Sequence, residues 1–200
     1  MTAQLTALAI SCTLKPSPAE SSTDLLGSQI LSALAEHGVT GELVRAVDHV
    51  ISPGVEADMG GDDQWPTLRE KVHAADILVL LTPTWMGQQS SVAQRVLERL
   101  DAELSETDDA GRPILFDKVA LAGIVGNEDG AHHIAAILFQ SLNDVGYSVP
   151  AQASVYWNGE AMQTVDYKDL DETPEKVAQA TATAAPVSYT HLRAHETKAN

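Results

Sequence analysis

A chain of 200 residues is long enough for one α/β domain with a complete core and too short for two of ordinary size. Its formal charge of -16 excludes non-specific nucleic-acid binding, which depends on Lys and Arg neutralising phosphates, and no run approaches the ~18 uninterrupted apolar residues of a membrane span. The single cysteine, Cys12, excludes an intrachain disulfide and Cys-rich zinc spacings, and the opening MTAQLTALAIS has no basic segment of a secretory signal; a cytoplasmic protein with neither nucleic-acid nor membrane partners is expected.

Apolar runs of strand character alternate with amphipathic segments, the pattern of a parallel sheet covered on both faces. Strands are expected over 4–12, 43–47, 76–82, 118–125 and 148–156, the third being continuously apolar and therefore central, and the fifth carrying Pro150 at its start or on an edge. Between the first two, Leu25, Leu26, Ile30, Leu31 and Leu34 recur at helical spacing, and Gly38 stops the helix. A shorter helix begins near Pro66 and turns Leu68 and Val72 inward. A third carries Val92, Val96, Leu97, Leu100 and Leu104 on one face, with Arg95, Glu98, Arg99 and Asp101 elsewhere; a fourth runs over 131–144 with Ile134, Ile137, Leu138 and Leu142 inward. The segments 51–64 and 103–113 read as an exposed loop and an acidic, turn-prone connector.

A last helix should start after Thr173-Pro174 and be interrupted by Pro186. The string VSYTHLRAHET resembles translated sequencing-adapter DNA, so residues 187–200 are set aside as a non-native tail and 1–186 are read as one domain. His191, Arg193 and His195 receive no role. A last helix truncated there would leave apolar surface on one sheet face uncovered.

In an open α/β sheet, ligands bind outside the carboxyl ends of the strands where strand order reverses, so the loops after the first, third and fourth strands matter. The first contains Ser11, Cys12, Thr13, Leu14 and Lys15, then Ser21, Ser22 and Thr23 at the start of a helix. Hydroxyls, a lysine and free helix-terminal amides converge on a phosphate, although Ser22 or Thr23 alone reads equally as a helix cap. Neither GxxxxGK[ST] nor GxGxxG is present, which removes the main support for P-loop hydrolysis and ordinary dinucleotide binding. The second loop holds Pro83, Thr84, Trp85, Met86 and Gly87. Trp85 either covers a flat ring or seals the edge of the core, and the two readings are even. The third, Gly126, Asn127, Glu128, Asp129 and Gly130, brings backbone donors to another helix start; its plain alternative is a capped turn.

Taken together, SCTLK, TPTWMGQQSS and VGNEDGAHH resemble the serine-glycine-serine-leucine-arginine stretch, the proline-aromatic loop and the glycine-rich loop of NADPH-dependent FMN reductases, over residues 4–185. The resemblance implies a flavodoxin-like, three-layer, doubly wound α/β fold with a five-stranded parallel sheet of order 2-1-3-4-5. It implies FMN as cofactor, its phosphate held by Ser11, Thr13, Lys15, Ser21, Ser22 and Thr23 and its ring by residues 83–87 and 126–130. NAD(P)H is the implied co-substrate, a quinone, free flavin or other small molecule the implied electron acceptor, and a homo-oligomer (dimer or tetramer) the implied assembly. Cys12 replaces a glycine of that pattern and Lys15 an arginine, and a lysine keeps the charge without the forked contact.

No side-chain catalytic residue is required by flavin-centred chemistry, and no metal is expected: His132 and His133, being adjacent on a helix, point in different directions. Cys12 reads as a small residue at a strand end rather than a reactive thiol. A flavodoxin-type one-electron carrier and a non-enzymatic binding or regulatory module are the alternatives on the same fold. Against the carrier, 11–23 is longer than the compact Thr-x-Thr-Gly-x-Thr loop of flavodoxins and lacks its glycine.

Overall fold

Three runs without a single charged side chain become the adjacent strands β1 (Thr6–Ser11), β3 (Ile77–Trp85) and β5 (Val119–Gly126), as expected of strands buried on both faces. The computed structural model describes residues 4–196. Its remaining elements are α1 (Ser22–Ala35), β2 (Thr40–Arg45), α2 (Trp65–Ala74), β4 (Gln88–Gln89), α3 (Ser91–Leu100), α4 (Ala131–Asp144), β6 (Ser154–Asn158) and α5 (Glu175–Glu196). The parallel strands lie in the order β2-β1-β3-β5-β6, and the two-residue β4 folds back antiparallel on the end of β3. The sheet thus has six strands; with β4 set aside, its path is the 2-1-3-4-5 order of the flavodoxin-like fold.

Alternation along the strands sorts the core into two halves. Leu8, Ile10, Leu78 and Leu80 face α2, α3 and α4 through Leu68, Val72, Val96, Leu100, Ile134 and Leu138. Ala7, Ala9, Val79 and Leu81 face α1 and α5 through Leu26, Ile30, Leu34, Val177, Ala184 and Leu192.

Several boundaries differ from the sequence expectation. The third strand does not stop at Thr82: Pro83 pairs with Val125 beyond the last β1 partner of the strand, where one edge is free and the missing amide is tolerated. The second strand spans Thr40–Arg45, with Val47 in a 3₁₀ turn. The last strand forms only from Ser154, because Pro150 and its neighbours occupy the preceding turn. Leu104 is exposed on the 3₁₀ turn after α3, where Glu103 takes the inward position instead and meets Arg69 Nε at 2.6 Å and His73 Nε2 at 2.7 Å. Pro186 does not break the last helix. Ala184, Ala185, Ser188 and Leu192 are buried against the sheet and α1, and this packing outweighs the lost intrahelical bond, so that face is covered.

Arg99, expected among the outward charges, is fully buried, and it restrains the 51–64 loop, which is largely exposed as expected. Its guanidinium donates to the carbonyls of Ser52 and Glu56, pairs with Asp63 at 2.8 Å and lies over the ring of Trp65. Asp63 also accepts the amides of Ser52, Met59 and Trp65, so the buried pair is satisfied on both sides. Burial pushes the Asp63 carboxyl up, but the amides of Met59 and Ser52 and the Arg99 guanidinium outweigh it and hold the group at about 2. The stabilisation from this depressed group is present above the ordinary carboxylate range and is lost as pH falls toward 2. Arg99→Met leaves Asp63 buried and unpaired; a loss of about 3–5 kcal/mol in guanidinium unfolding is expected, with 51–64 becoming the first site of proteolysis.

Candidate functional site

The carboxyl ends of β1, β3 and β5 open into one cavity of about 410 Å³, within the range of small-molecule sites. It lies beside β1, where the chain's path across the sheet reverses from β2 to β3. Of the residues singled out from the sequence, Thr13, Lys15, Ser21, Ser22, Thr23, Pro83, Thr84, Trp85, Gly126, Asn127 and Glu128 line it.

One end is polar. Ser21 is the N-cap of α1, its hydroxyl accepting the Asp24 amide at 3.4 Å, and the amides of Ser22 and Thr23 lie in the first turn, where no intrahelical acceptor exists. The Lys15 amide donates to Thr13 Oγ1, and no carboxylate of the described residues engages the Lys15 ammonium. Lys168 brings a second ammonium, held at 2.5 Å by Asp169 and kept charged by it.

The other end is flat and aromatic. Trp85 is half-exposed, and Trp157 packs its ring 5.5 Å from that of Tyr167. Thr84 Oγ1 is a buried polar atom in the wall without a hydrogen-bond partner among the described residues. A Cβ at Gly126 would stand 2.7 Å from Thr84 Cβ, so only glycine lets the two strands approach here.

Five of the expected residues do not line the cavity. Ser11 is buried and donates its hydroxyl to Asp24 Oδ1. Met86 is exposed and its amide donates to Glu128 Oε1 at 2.6 Å, tying the second loop to the third. Gly87 and Gly130 meet backbone to backbone, and Asp129 accepts the Gly130 amide. Cys12 is fully buried, and burial pushes its thiol above the ordinary range, which leaves it unreactive. His132 and His133 reach different partners, Tyr156 and Gln88, and no group of three His, Cys, Asp or Glu among the described residues could hold a metal.

In the far wall, Trp157, which from its place after the last strand reads equally as bordering the crevice or covering the sheet edge, lines the cavity, whereas sequence reasoning missed Ala161, Met162, Asp166, Tyr167 and Lys168. The segment 159–169 has no periodicity to announce it. It is fastened by Asn127 donating to Asp166, Tyr167 donating to Gln29 at 2.6 Å and the Lys168 amide donating to Ser22 Oγ.

Residues 5–161 match the model of a family described as NADPH-dependent FMN reductase. Over 166 residues, 78% of this chain, the sequence is 37% identical to 8-demethyl-8-aminoriboflavin-5'-phosphate synthase of Streptomyces davaonensis, of which it spans 65%. Over 169 residues, 82% of this chain, it is 43% identical to a Mycobacterium bovis protein named divalent metal cation transporter MntH, of which it spans 25%. No helix of the described residues is long and apolar enough to cross a membrane. The fold superposes on RosB holding 8-demethyl-8-formylriboflavin-5'-phosphate with a TM-score of 0.86 at 31% identity, covering 96% of this chain and 80% of that one. A flavone reductase (TM-score 0.66, 18% identity, 94% and 63% covered) and an archaeal flavodoxin (0.57, 7%, 94% and 99%) share the fold.

The contact between the second and third loops gives a test of their packing. Gly130 has φ +145, and a Cβ there would lie 2.8 Å from Gly87 Cα and 2.9 Å from its oxygen, whereas Gly38, at φ +79, has nothing within 4 Å of an added Cβ. Gly38→Ala is expected to cost about 1–2 kcal/mol of backbone strain in thermal or denaturant melts, and Gly130→Ala clearly more because the clash is with main chain.

Proposed function

The chain belongs to the NADPH-dependent FMN reductase family, and on that premise we propose that it holds FMN in the cavity above β1, β3 and β5, oxidises NAD(P)H and passes the electrons to a small acceptor. The family and its neighbours indicate a flavin-related oxidoreductase enzyme. The observation that carries the finer reading is the division of one cavity into an end built for an anion and an end built for a flat ring.

The residues present fit FMN. Thr13, Lys15, Ser21, Ser22 and Thr23 would hold its phosphate at the N-terminus of α1, where free amides and the positive end of the helix dipole favour an anion, and Lys168 adds a second cation. Pro83, Thr84, Trp85, Gly126, Asn127 and Glu128 would border the ring, the unpartnered Thr84 hydroxyl being available to a polar ring atom. Ser11, Met86, Gly87, Asp129 and Gly130 support this set from behind, fixing the loops that carry it. When bound, FMN supplies the hydride and electron transfer itself. The protein orients it, and Trp85 and Trp157 shield the ring end from water. A homo-oligomer in the cytoplasm is part of the same proposal.

A second reading has its own observation. The 37%-identical relative is named a synthase of an aminoriboflavin phosphate, and RosB holds a formylriboflavin phosphate. On this reading the flavin phosphate is the substrate rather than a resident cofactor.

Purified protein titrated with FMN should bind one equivalent, and the flavin absorbance should be bleached anaerobically by NADH or NADPH. FMN bound without bleaching and converted to a different flavin would favour the second reading; a folded protein that binds no FMN would defeat both. Lys15→Met is expected to raise the FMN dissociation constant about tenfold, read by quenching of flavin fluorescence, since it removes a charge-assisted contact worth about 1.5–3 kcal/mol at full strength.

A further inference from the structure

We propose that Arg45, a residue outside the cavity, is the positioning residue that makes the cavity select phosphorylated over unphosphorylated flavin; this rests on the reading that the cavity binds FMN. Arg45 is the last residue of β2, and only 9% of its side chain is exposed. Its guanidinium uses every edge: Nε donates to Asp24 Oδ2 at 2.6 Å, Nη1 to the Lys15 carbonyl at 3.0 Å and Nη2 to the Ala19 carbonyl at 2.5 Å. Asp24 in turn accepts the Ser11 hydroxyl on its other oxygen. One planar group therefore fixes the end of β1, both ends of the 15–19 loop and the first turn of α1, which are the pieces that form the polar end of the cavity.

Two physical effects follow, and both act on a phosphate rather than on a ring. The fork holds the loop that brings Lys15 into the cavity that Ser22 and Thr23 also line, a task that the point charge of a lysine at position 45 performs with fewer bonds. The guanidinium also neutralises Asp24. Without it, an unpaired carboxylate would stand one residue beyond Thr23 and repel any dianion brought to the helix terminus.

The test compares FMN with riboflavin on the full chain by fluorescence quenching, with circular dichroism to verify folding. Arg45→Met should weaken FMN at least tenfold and leave riboflavin within twofold. Adding Asp24→Asn should return at least threefold of the lost FMN affinity, because the unpaired carboxylate is then gone. Arg45→Lys should fall between wild type and Arg45→Met, and it decides the matter if Arg45→Met fails to fold. Equal weakening of both flavins, or of neither, would overturn the proposal by reducing Arg45 to a structural residue or to none. A wild-type chain that binds riboflavin and FMN alike would also overturn it, whereas one that binds no flavin would remove the reading of the cavity on which it stands.

Discussion

The reversal of the chain at β1 is the constraint on which the rest depends. From β1 the path steps outward to β2 and then back across to β3, so the helices that follow β1 and β2 pack on opposite faces of the sheet. The loops leaving the carboxyl ends of β1 and β3 must diverge, and a crevice opens between them without any residue being spent to hollow it out. The helix that leaves β1 presents its first turn to this crevice, which puts unpaired amides at its polar end. The wide core beneath keeps the strand ends fixed, and the loops need only complete a site whose position the topology has already set.

Holding the connecting segments in place is the work of ionic groups. Arg45, Arg99 and Glu103 are each largely or wholly buried, and each ties a connecting segment to the sheet layers: the 15–19 and 52–63 loops and the 3₁₀ turn at 101–105. A buried ion pair adds little to net stability when it is compared with a well-packed apolar substitute, and its removal on one side alone is severe. What such pairs provide here is a single conformation for loops that have few apolar side chains of their own. The protein carries a large excess of carboxylates, so surface acids are plentiful, and the arginines are the scarce partners that decide which loop is held where.

This division also explains what the sequence disclosed. The strands of the sheet centre were legible because continuous apolar runs have no other stable place, and α4 was legible to the residue because Gly130 and Gly146 bracket a clean periodicity. The polar and aromatic loops were legible as loops with unusual composition. Arg99 was not, since a helical pattern assigns a charge to the outer face unless a distant loop supplies acceptors, and its carbonyl acceptors lie more than forty residues away. Pro83 to Trp85 read as a loop because proline usually ends a strand, and the free edge that tolerates it is a property of β1's length. The wall at 166–168 had no local pattern at all: its partners Asn127, Gln29 and Ser22 are far back along the chain.

That wall has a consequence for the order in which the molecule comes into being. Gln29 is joined to Tyr167 by one hydrogen bond and to Thr173 by another, spans of 138 and 144 residues. During synthesis the sheet centre and the first helix are available long before residues 159–173 leave the ribosome, and until then the cavity is a trough open along one side. A ligand that needs all its walls can therefore enter only after residues 159–173 have docked, and its capture is coupled to the docking of that segment rather than to the folding of the core.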